Sequence, residues 1–462
     1  MNAGVNSLIH SLVCLDAAEL IYFFEHLATA ILEAIIMVNP ATNRKNGRRK
    51  KVPKQIVAQP ANAHPFSALR INGRNPVKHP FPLEETLAVS RGKINTIPAL
   101  QQVLQTIRID DDCKQDSKTI IHDLIKNNLI KIMKEKCEIF KKHYRDLAFV
   151  GSFYEGLKIT DADEFDLNIV MKLPFGAHTP YEVCQVPKAP GHMSIKWDPK
   201  YLKKIEKSCS ENIRPTFKWV DAQGYLLTNK ILQYMESLVA KSVAEYNSEL
   251  YEEDQISITK NGPALTLWHQ SEDISVDLVP AFDFPARDCP PPPFKDPSMY
   301  CHPRKNMRWF IVPKPLKQHG LEIAWRLSFS EHEREILYDL GWVKPAIKIM
   351  KRIRDIMDWR TPDSYSLKTV ALWLLDYGYL TPDDKLDFAF EKMARGLMYY
   401  LDKKKLPLFW DPRFNKFEDM NPADCKNKFN FLDKYLRSEK DIVELCELAA
   451  EDSEDEDDEF YD

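Results

Sequence analysis

Apolar residues recur on a helical period between Ser117 and about Tyr144, where Ile121, Ile125, Leu129, Ile132 and Phe140 fall on one stripe. With Ser117 as its N-cap, the spacing predicts one long helix over 117–144. The period then shortens to two. Leu147–Val150 is a short apolar run, Glu164–Met171 alternates strictly, and Ile274–Val279 alternates again. After about Ser328 the helical period returns through 331–357, 366–378 and 383–402. A long helix, a mixed region and a helical end predict an α+β chain.

The flanks read differently. Residues 7–38 are apolar but interrupted by Asp16, Glu19, Glu25 and Glu33, which predicts buried helices and neither a membrane span nor a signal peptide. Residues 39–93 carry Pro40, Pro53, Pro60, Pro65, Pro76, Pro80 and Pro82 with little periodicity, as a linker does. The expected organisation is an N-terminal extension over 1–93, a spine helix with a mixed core over 94–325, a helical lobe over 326–448 and an acidic tail over 449–462.

Charge changes the picture only when it is divided by region. The 462 residues carry 64 basic and 68 acidic side chains, a net of −4 that suits no nucleic-acid binder. Nine of the last twelve residues are acidic, however, so the rest of the chain holds 64 basic against 59 acidic side chains, a net of +5. Six basic residues crowd Arg44–Lys51, as in a solvated tail or localisation signal. On the predicted long helix, Lys126, Lys131, Lys134, Lys141 and Lys142 line the polar sides, either as an ordinary soluble face or as a phosphate-binding ridge. The nine cysteines include no C-x-x-C pair, which is the usage of a reduced, cytoplasmic chain.

The chemistry lies in the alternating segments. In Glu164–Met171, Phe165, Leu167, Ile169 and Met171 share one face and Glu164 and Asp166 the other, about 7 Å apart at their Cα atoms. A solvated strand end would look the same. In Ile274–Val279, Asp277 stands on the polar face opposite Ile274, Val276 and Leu278. Three carboxylates facing one cleft repel each other unless a cation lies between them, and two Mg²⁺ or Mn²⁺ ions would supply the clamp that in-line phosphoryl transfer needs. Gly151-Ser152, directly after the 147–150 strand, offers backbone N–H groups and a hydroxyl to phosphate.

Gly151-Ser152-Phe153-Tyr154-Glu155-Gly156-Leu157-Lys158, then Glu164-Phe165-Asp166 and Ile274-Ser275-Val276-Asp277, resemble the nucleotidyltransferase signature of the cyclic GMP-AMP synthase-like receptors. The resemblance runs from about Ile94 to Phe417 and implies a bilobal nucleotidyltransferase fold. It implies Glu164, Asp166 and Asp277 as catalytic metal ligands for two ions. It implies Ser152, Glu164, Asp166, Ser330, Glu333, Lys351, Ser364, Tyr365 and Lys368 as ATP contacts, and Asp277, Arg326, Ser328 and Glu333 as GTP contacts. The expected reaction joins ATP and GTP into a cyclic dinucleotide messenger of innate antiviral signalling.

One departure from the vertebrate enzyme matters. Between the block Trp325–Glu335 and Lys351, where that enzyme carries a His/Cys zinc module, Ile336–Met350 holds neither Cys nor His. No structural zinc is expected, since such a site needs four ligands, and Cys289, Cys301 and His302 lack metal spacing. The resemblance therefore moves to the zinc-free invertebrate type, which implies double-stranded RNA as activator, read by shape and backbone, with assembly on RNA as a further expectation. Two rivals stand beside it: a catalytically silent relative acting as a binding protein, and a synthetase of linear oligonucleotides.

Overall fold

The computed structural model describes residues 95–451, apart from 176–178, 188, 212, 301–305, 315 and 317–320. The expectations for the apolar N-terminal segment, the basic linker and the acidic tail lie outside the described residues, as do Cys301 and His302.

Helices α1 (Ile97–Thr106) and α2 (Asp111–Ile121) lead into a π-helical segment, His122–Leu129, followed by α3 (Ile130–Lys136) and α4 (Glu138–His143). The predicted long helix thus begins at Asp111 rather than Ser117, with Asp111 and Asp112 in its first turn, where the helix dipole favours them. Ser117 is not a cap: it lies inside α2 and donates its hydroxyl to the carbonyls of Cys113 and Ala162. The wider π turn shifts the buried stripe, so Ile130 and Met133 are buried in α3 while Ile132 is only half-buried. Cys137, with extended φ and ψ, interrupts the rod before α4.

A mixed sheet follows, with strands β1 (Tyr144–Val150), β2 (Glu164–Met171), β3 (Tyr181–Gln185), β4 (His192–Trp197), β5 (Ile256–Asn261), β6 (Ala264–His269), β7 (Ile274–Pro285), β8 (Arg308–Val312) and β9 (Trp325–Ser328). Its order is β1-β2-β7-β8-β9-β4-β3, with β6 on β7 and β5 on β6. The short helix α5 (Gly151–Tyr154) turns β1 towards β2, and α6 (Pro199–Ser208) and α7 (Thr228–Asn247) follow β4. The alternation seen in sequence holds at the open end of β2, where Phe165 and Leu167 are fully buried and Glu164 is exposed. Further along, Val170 is buried as well, packed with Ala148, Ala281 and Phe310. The two acids of β2 therefore stand at the open end of a strand whose remainder is covered on both faces.

The helical lobe holds α8 (Ser330–Ile336), α9 (Val343–Ile356), α10 (Ser364–Asp376), α11 (Leu386–Asp402), α12 (Pro422–Tyr435) and α13 (Glu439–Ala450). The helix expected over 331–357 is split into α8 and α9 by a turn with Asp339 and Gly341 at positive φ. Asp363 caps α10 by accepting from the Ser366 N–H at 2.6 Å, and every residue from Ser366 to Leu375 is buried, which makes α10 the axis of the lobe. Helix α1 packs against α9, α11 and α13, so it belongs to this lobe rather than to the region before residue 325. The expected boundary at 325/326 falls inside β9. Among the described residues no helix is long and apolar enough to cross a membrane.

Candidate active site

Strand pairing decides where the acids meet. Strands β2 and β7 run parallel with Asp166 directly beside Asp277 and Glu164 beside Ser275. Neighbouring parallel strands lie about 4.8 Å apart, so two like charges share one rung of the sheet. On the far side of β7, Thr266 of β6 is paired with Asp277 and donates its hydroxyl to the Asp277 Oδ1 at 2.5 Å. On the near side, Val150 of β1 is paired with Asp166, which brings Gly151 against that carboxylate. A Cβ on Gly151 would stand 1.8 Å from the Asp166 Oδ2, and its φ of +79° is one that L side chains rarely adopt, so glycine is required there twice over.

The electrostatics follow from this crowding. Burial, then Glu164 and Asp277, push the Asp166 carboxyl up to about 6. Burial also raises Asp277, against the lowering effect of the Thr266 hydrogen bond, and Glu164 adds to the rise. Hard oxygen donors that repel one another suit a divalent cation, and in that chemical sense Glu164, Asp166 and Asp277 fit one. Their side chains are not drawn into a finished cage, because among the described residues no three Asp, Glu, His or Cys groups converge on one point. Glu164, the outermost, is turned towards Lys158 at 3.3 Å.

Beside the acids lies a cleft of about 360 Å³. Gly151, Ser152, Glu164 and Asp166 form one wall, and Lys351, Ser364, Tyr365 and Lys368 form the other. The backbone N–H groups of Leu157 and Lys158 donate to the Ser152 carbonyl at 2.7 and 3.0 Å, which closes the Ser152 loop on itself. Lys351 is buried and donates to the Leu157 carbonyl at 2.9 Å; burial, then the charge of Arg354, lowers its ammonium to about 8. Ser364, at the start of α10, accepts a hydrogen bond from Arg354. Two larger cavities, of about 520 and 730 Å³, mix acidic and basic side chains and lie away from the paired acids.

Behind this wall is a buried ionic network joining the sheet side to the helical lobe. The Lys368 ammonium contacts both Glu155 oxygens at 2.8 and 2.9 Å and the Glu333 Oε2 at 2.7 Å. Glu333 also accepts from the Tyr365 hydroxyl at 2.6 Å and the Trp410 indole at 2.8 Å. Burial and the neighbouring Glu333 raise Glu155 against the pull of Lys368, whereas Lys368, Tyr365 and Trp410 together outweigh burial and hold Glu333 low. Glu333 and Lys368, expected as nucleotide contacts, are therefore committed to protein partners. Ser330 is buried at the head of α8, its hydroxyl without a hydrogen-bond partner.

Arg326 and Ser328 lie half-buried on β9, outside the lining of the 360 Å³ cleft. Arg326 stands near Lys314, whose ammonium it lowers to about 8 with help from burial and Lys416. The Lys416 ammonium lies 5.0 Å from the Tyr365 ring, linking this cationic group to the cleft.

Of the expected ridge lysines, Lys126, Lys131, Lys141 and Lys142 are exposed. Lys134 is half-buried, its ammonium 4.1 Å from the Tyr144 ring centre, and Lys141 reaches Glu138 at 3.2 Å. A second cationic group lies on the helical lobe near Lys351: Lys348 of α9 is lowered by burial and by the charges of Lys114 on α2 and Lys344 on α9. Lys344 and Lys348 are four residues apart and so share a helix face, a signal present in the sequence, but their pairing with Lys114 depends on the fold. Thr266 and Glu155 were missed in the sequence, since Thr266 matters through its rung partner Asp277 on the next strand and Glu155 through Lys368, 213 residues away.

Residues 153–339 match the Mab-21 protein nucleotidyltransferase domain family and residues 342–434 the Mab-21 protein HhH/H2TH-like domain family. A cyclic GMP-AMP synthase-like receptor of Microplitis demolitor is 31% identical over 361 residues, which cover 75% of this chain and 64% of the relative, just under two thirds of its length. The receptor of the same description from Ctenocephalides felis is 30% identical over 358 residues, covering 70% of this chain and 79% of its own. That of Nicrophorus vespilloides is 32% identical over 299 residues, covering 63% and 79%.

Two outcomes follow from the electrostatics. Asp166 is raised above its unfolded value, so its ionisation weakens the metal-free fold above about pH 6, and that penalty fades as pH falls towards 4. Without divalent ions at pH 7.5, Asp166→Asn should be more stable than the parent by about 1–3 kcal/mol in urea unfolding, with the gap closing near pH 4. Lys368→Met leaves Glu155 and Glu333 buried without their cation and should cost about 3–5 kcal/mol in the same measurement.

Proposed function

The chain belongs to the cyclic GMP-AMP synthase-like receptor family and carries a Mab-21-type nucleotidyltransferase domain, and on that premise we propose that it joins ATP and GTP into a cyclic dinucleotide of the cyclic GMP-AMP type when double-stranded RNA binds. The product would serve as a cytoplasmic messenger in antiviral defence. The observation that carries the reading is the shared rung of Asp166 and Asp277 beside the Ser152 loop.

Glu164, Asp166 and Asp277 would hold two Mg²⁺ or Mn²⁺ ions, which supply charge neutralisation at the attacking and leaving oxygens. Asp277, oriented by Thr266 and raised by burial, is suited to take the proton of the attacking ribose hydroxyl. The N–H groups and hydroxyl at Gly151-Ser152, with Lys351 and Ser364 opposite, would cradle the triphosphate. Tyr365 offers its ring to a base. Glu333 and Lys368 would act by fixing that ring and the lobe behind it, and Ser330 would support the head of α8. Arg326, with Ser328 near it, presents a planar donor fork suited to a guanine edge. Catalysis of this kind is mostly positioning and electrostatics.

For RNA, the furrow between α2 and α9 is a better site than the exposed lysines of α3 and α4 alone. There the charges of Lys114 and Lys344 bear on Lys348, while Asp111 pairs with Lys114 at 2.7 Å, and a phosphate backbone would relieve that repulsion. The furrow also adjoins the catalytic loop: Lys344 Nζ lies 3.8 Å from the point a Cβ on Gly156 would occupy. Lys126, Lys131, Lys134, Lys141 and Lys142 extend the cationic surface along the rod.

Purified protein incubated with labelled ATP and GTP, Mn²⁺ and either an RNA or a DNA duplex should give a cyclic dinucleotide with RNA only. Linear oligonucleotides, or no product under any condition, would reject the reading in favour of a linear synthetase or a silent binding protein. In the same assay the triple variant Lys114→Glu, Lys344→Glu, Lys348→Glu should lose RNA stimulation and most RNA affinity. Raising the salt should weaken RNA binding of the parent protein more steeply than that of the variant. An unchanged RNA response would remove the furrow from the account.

A further inference from the structure

Lys158 occupies an unusual position for a lysine. Its side chain is only 15% exposed, and its ammonium sits between two carboxylates, 2.8 Å from the Asp163 Oδ1 and 3.3 Å from the Glu164 Oε2. Both anchors of this bridge are fixed by the backbone. On one side, the Lys158 N–H donates to the Ser152 carbonyl at 3.0 Å, and the adjacent Leu157 carbonyl accepts from Lys351 at 2.9 Å. On the other, the Asp163 carbonyl accepts from the Ser275 N–H at 2.7 Å and from the Ser275 hydroxyl at 3.2 Å, which ties the start of β2 to β7. Glu164 is thereby turned towards a protein cation, although its charge is still felt by Asp166 and Asp277.

We infer that Lys158 is a resident cation that holds Glu164 until a divalent ion claims it, and so acts as a positioning residue for the metal-binding face. The inference rests on the reading of Glu164, Asp166 and Asp277 as ion ligands. When Glu164 turns to the ion, Lys158 keeps Asp163 as its partner, so no buried charge is stranded by the exchange. Because the backbone of Lys158 also closes the Ser152 loop, the exchange couples occupancy of the acids to the loop proposed to hold the triphosphate.

The test is Mn²⁺ binding to the full-length, nucleotide-free protein, read by electron paramagnetic resonance of free Mn²⁺. Lys158→Met removes the competitor and should bind Mn²⁺ about two- to five-fold more tightly, the scale set by a partly exposed ion pair. Lys158→Arg keeps the bridge and should match the parent. In a Glu164→Gln background, Lys158→Met should change the affinity by no appreciable factor, because its action passes through Glu164. Lys158→Gln replaces Lys158→Met if thermal melting shows the latter unfolded. Equal or weaker binding in Lys158→Met, or a gain that persists in the Glu164→Gln background, overturns the inference. The ion-ligand reading is tested separately: it falls if Asp166→Asn leaves Mn²⁺ binding intact, and it survives if Asp166 is required while Lys158 has no effect.

Discussion

The site is organised by one constraint, the parallel pairing that puts Asp166 and Asp277 on the same rung of β2 and β7. The hydrophobic faces of both strands enforce it. Phe165, Leu167, Val276 and Leu278 are all buried, and a slip of one residue would bring Glu164, Asp166 or Asp277 into the positions that Phe165, Leu167 and Val276 fill. The core therefore holds in place two carboxylates that repel each other. Gly151 presses against Asp166 from one side and Thr266 binds Asp277 from the other, so neither acid can turn away without loss. A cation would relieve the arrangement, which is why the pair suits chemistry that needs bound cations.

The same economy joins the two sides of the cleft. Glu155, just beyond the Ser152 loop, is buried against Lys368 of α10, and Lys368 in turn holds Glu333 of α8. Lys351 of α9 reaches across to the Leu157 carbonyl. Each contact ties the catalytic loop to the helical lobe through a buried charge or a buried donor, so a shift of α9 is felt at Ser152. Lys344 and Lys348 lie on that same helix, near the loop on one side and Lys114 on the other. An anion drawn into the furrow would thus act on an element already hydrogen-bonded to the catalytic loop.

Period-two alternation made much of this legible in the sequence. Glu164, Asp166 and Asp277 were placed on polar strand faces by their apolar neighbours, and the strands pair as that pattern requires. The resemblance brought Ser152, Lys351, Ser364, Tyr365 and Lys368 to one site, and the structure gathers them around one cleft. What was not legible depends on partners far apart in the chain. Glu155 and Lys368 are separated by 213 residues, and Lys368 reads as an ATP contact until the fold buries it against Glu155. Ser117 looked like a cap because polar residues precede an apolar stripe, yet the helix already starts at Asp111. The π-helical turn that moves the stripe has no signature in periodicity, and α1 joins the helical lobe through contacts remote in sequence, such as Thr106 with Ala450, 344 residues apart.

The central claim is that Asp166 and Asp277 share one cation-binding face strained by its own charge. It is tested most directly by the rise in melting temperature that Mn²⁺ produces at pH 7.5 in the parent protein, in Asp166→Asn, in Asp277→Asn and in the double variant. Binding to the native state alone raises the melting temperature by mass action. The account predicts a clear rise in the parent, little or none in either single variant, and no further loss in the double. An equal Mn²⁺-dependent rise in the parent and both single variants would contradict it.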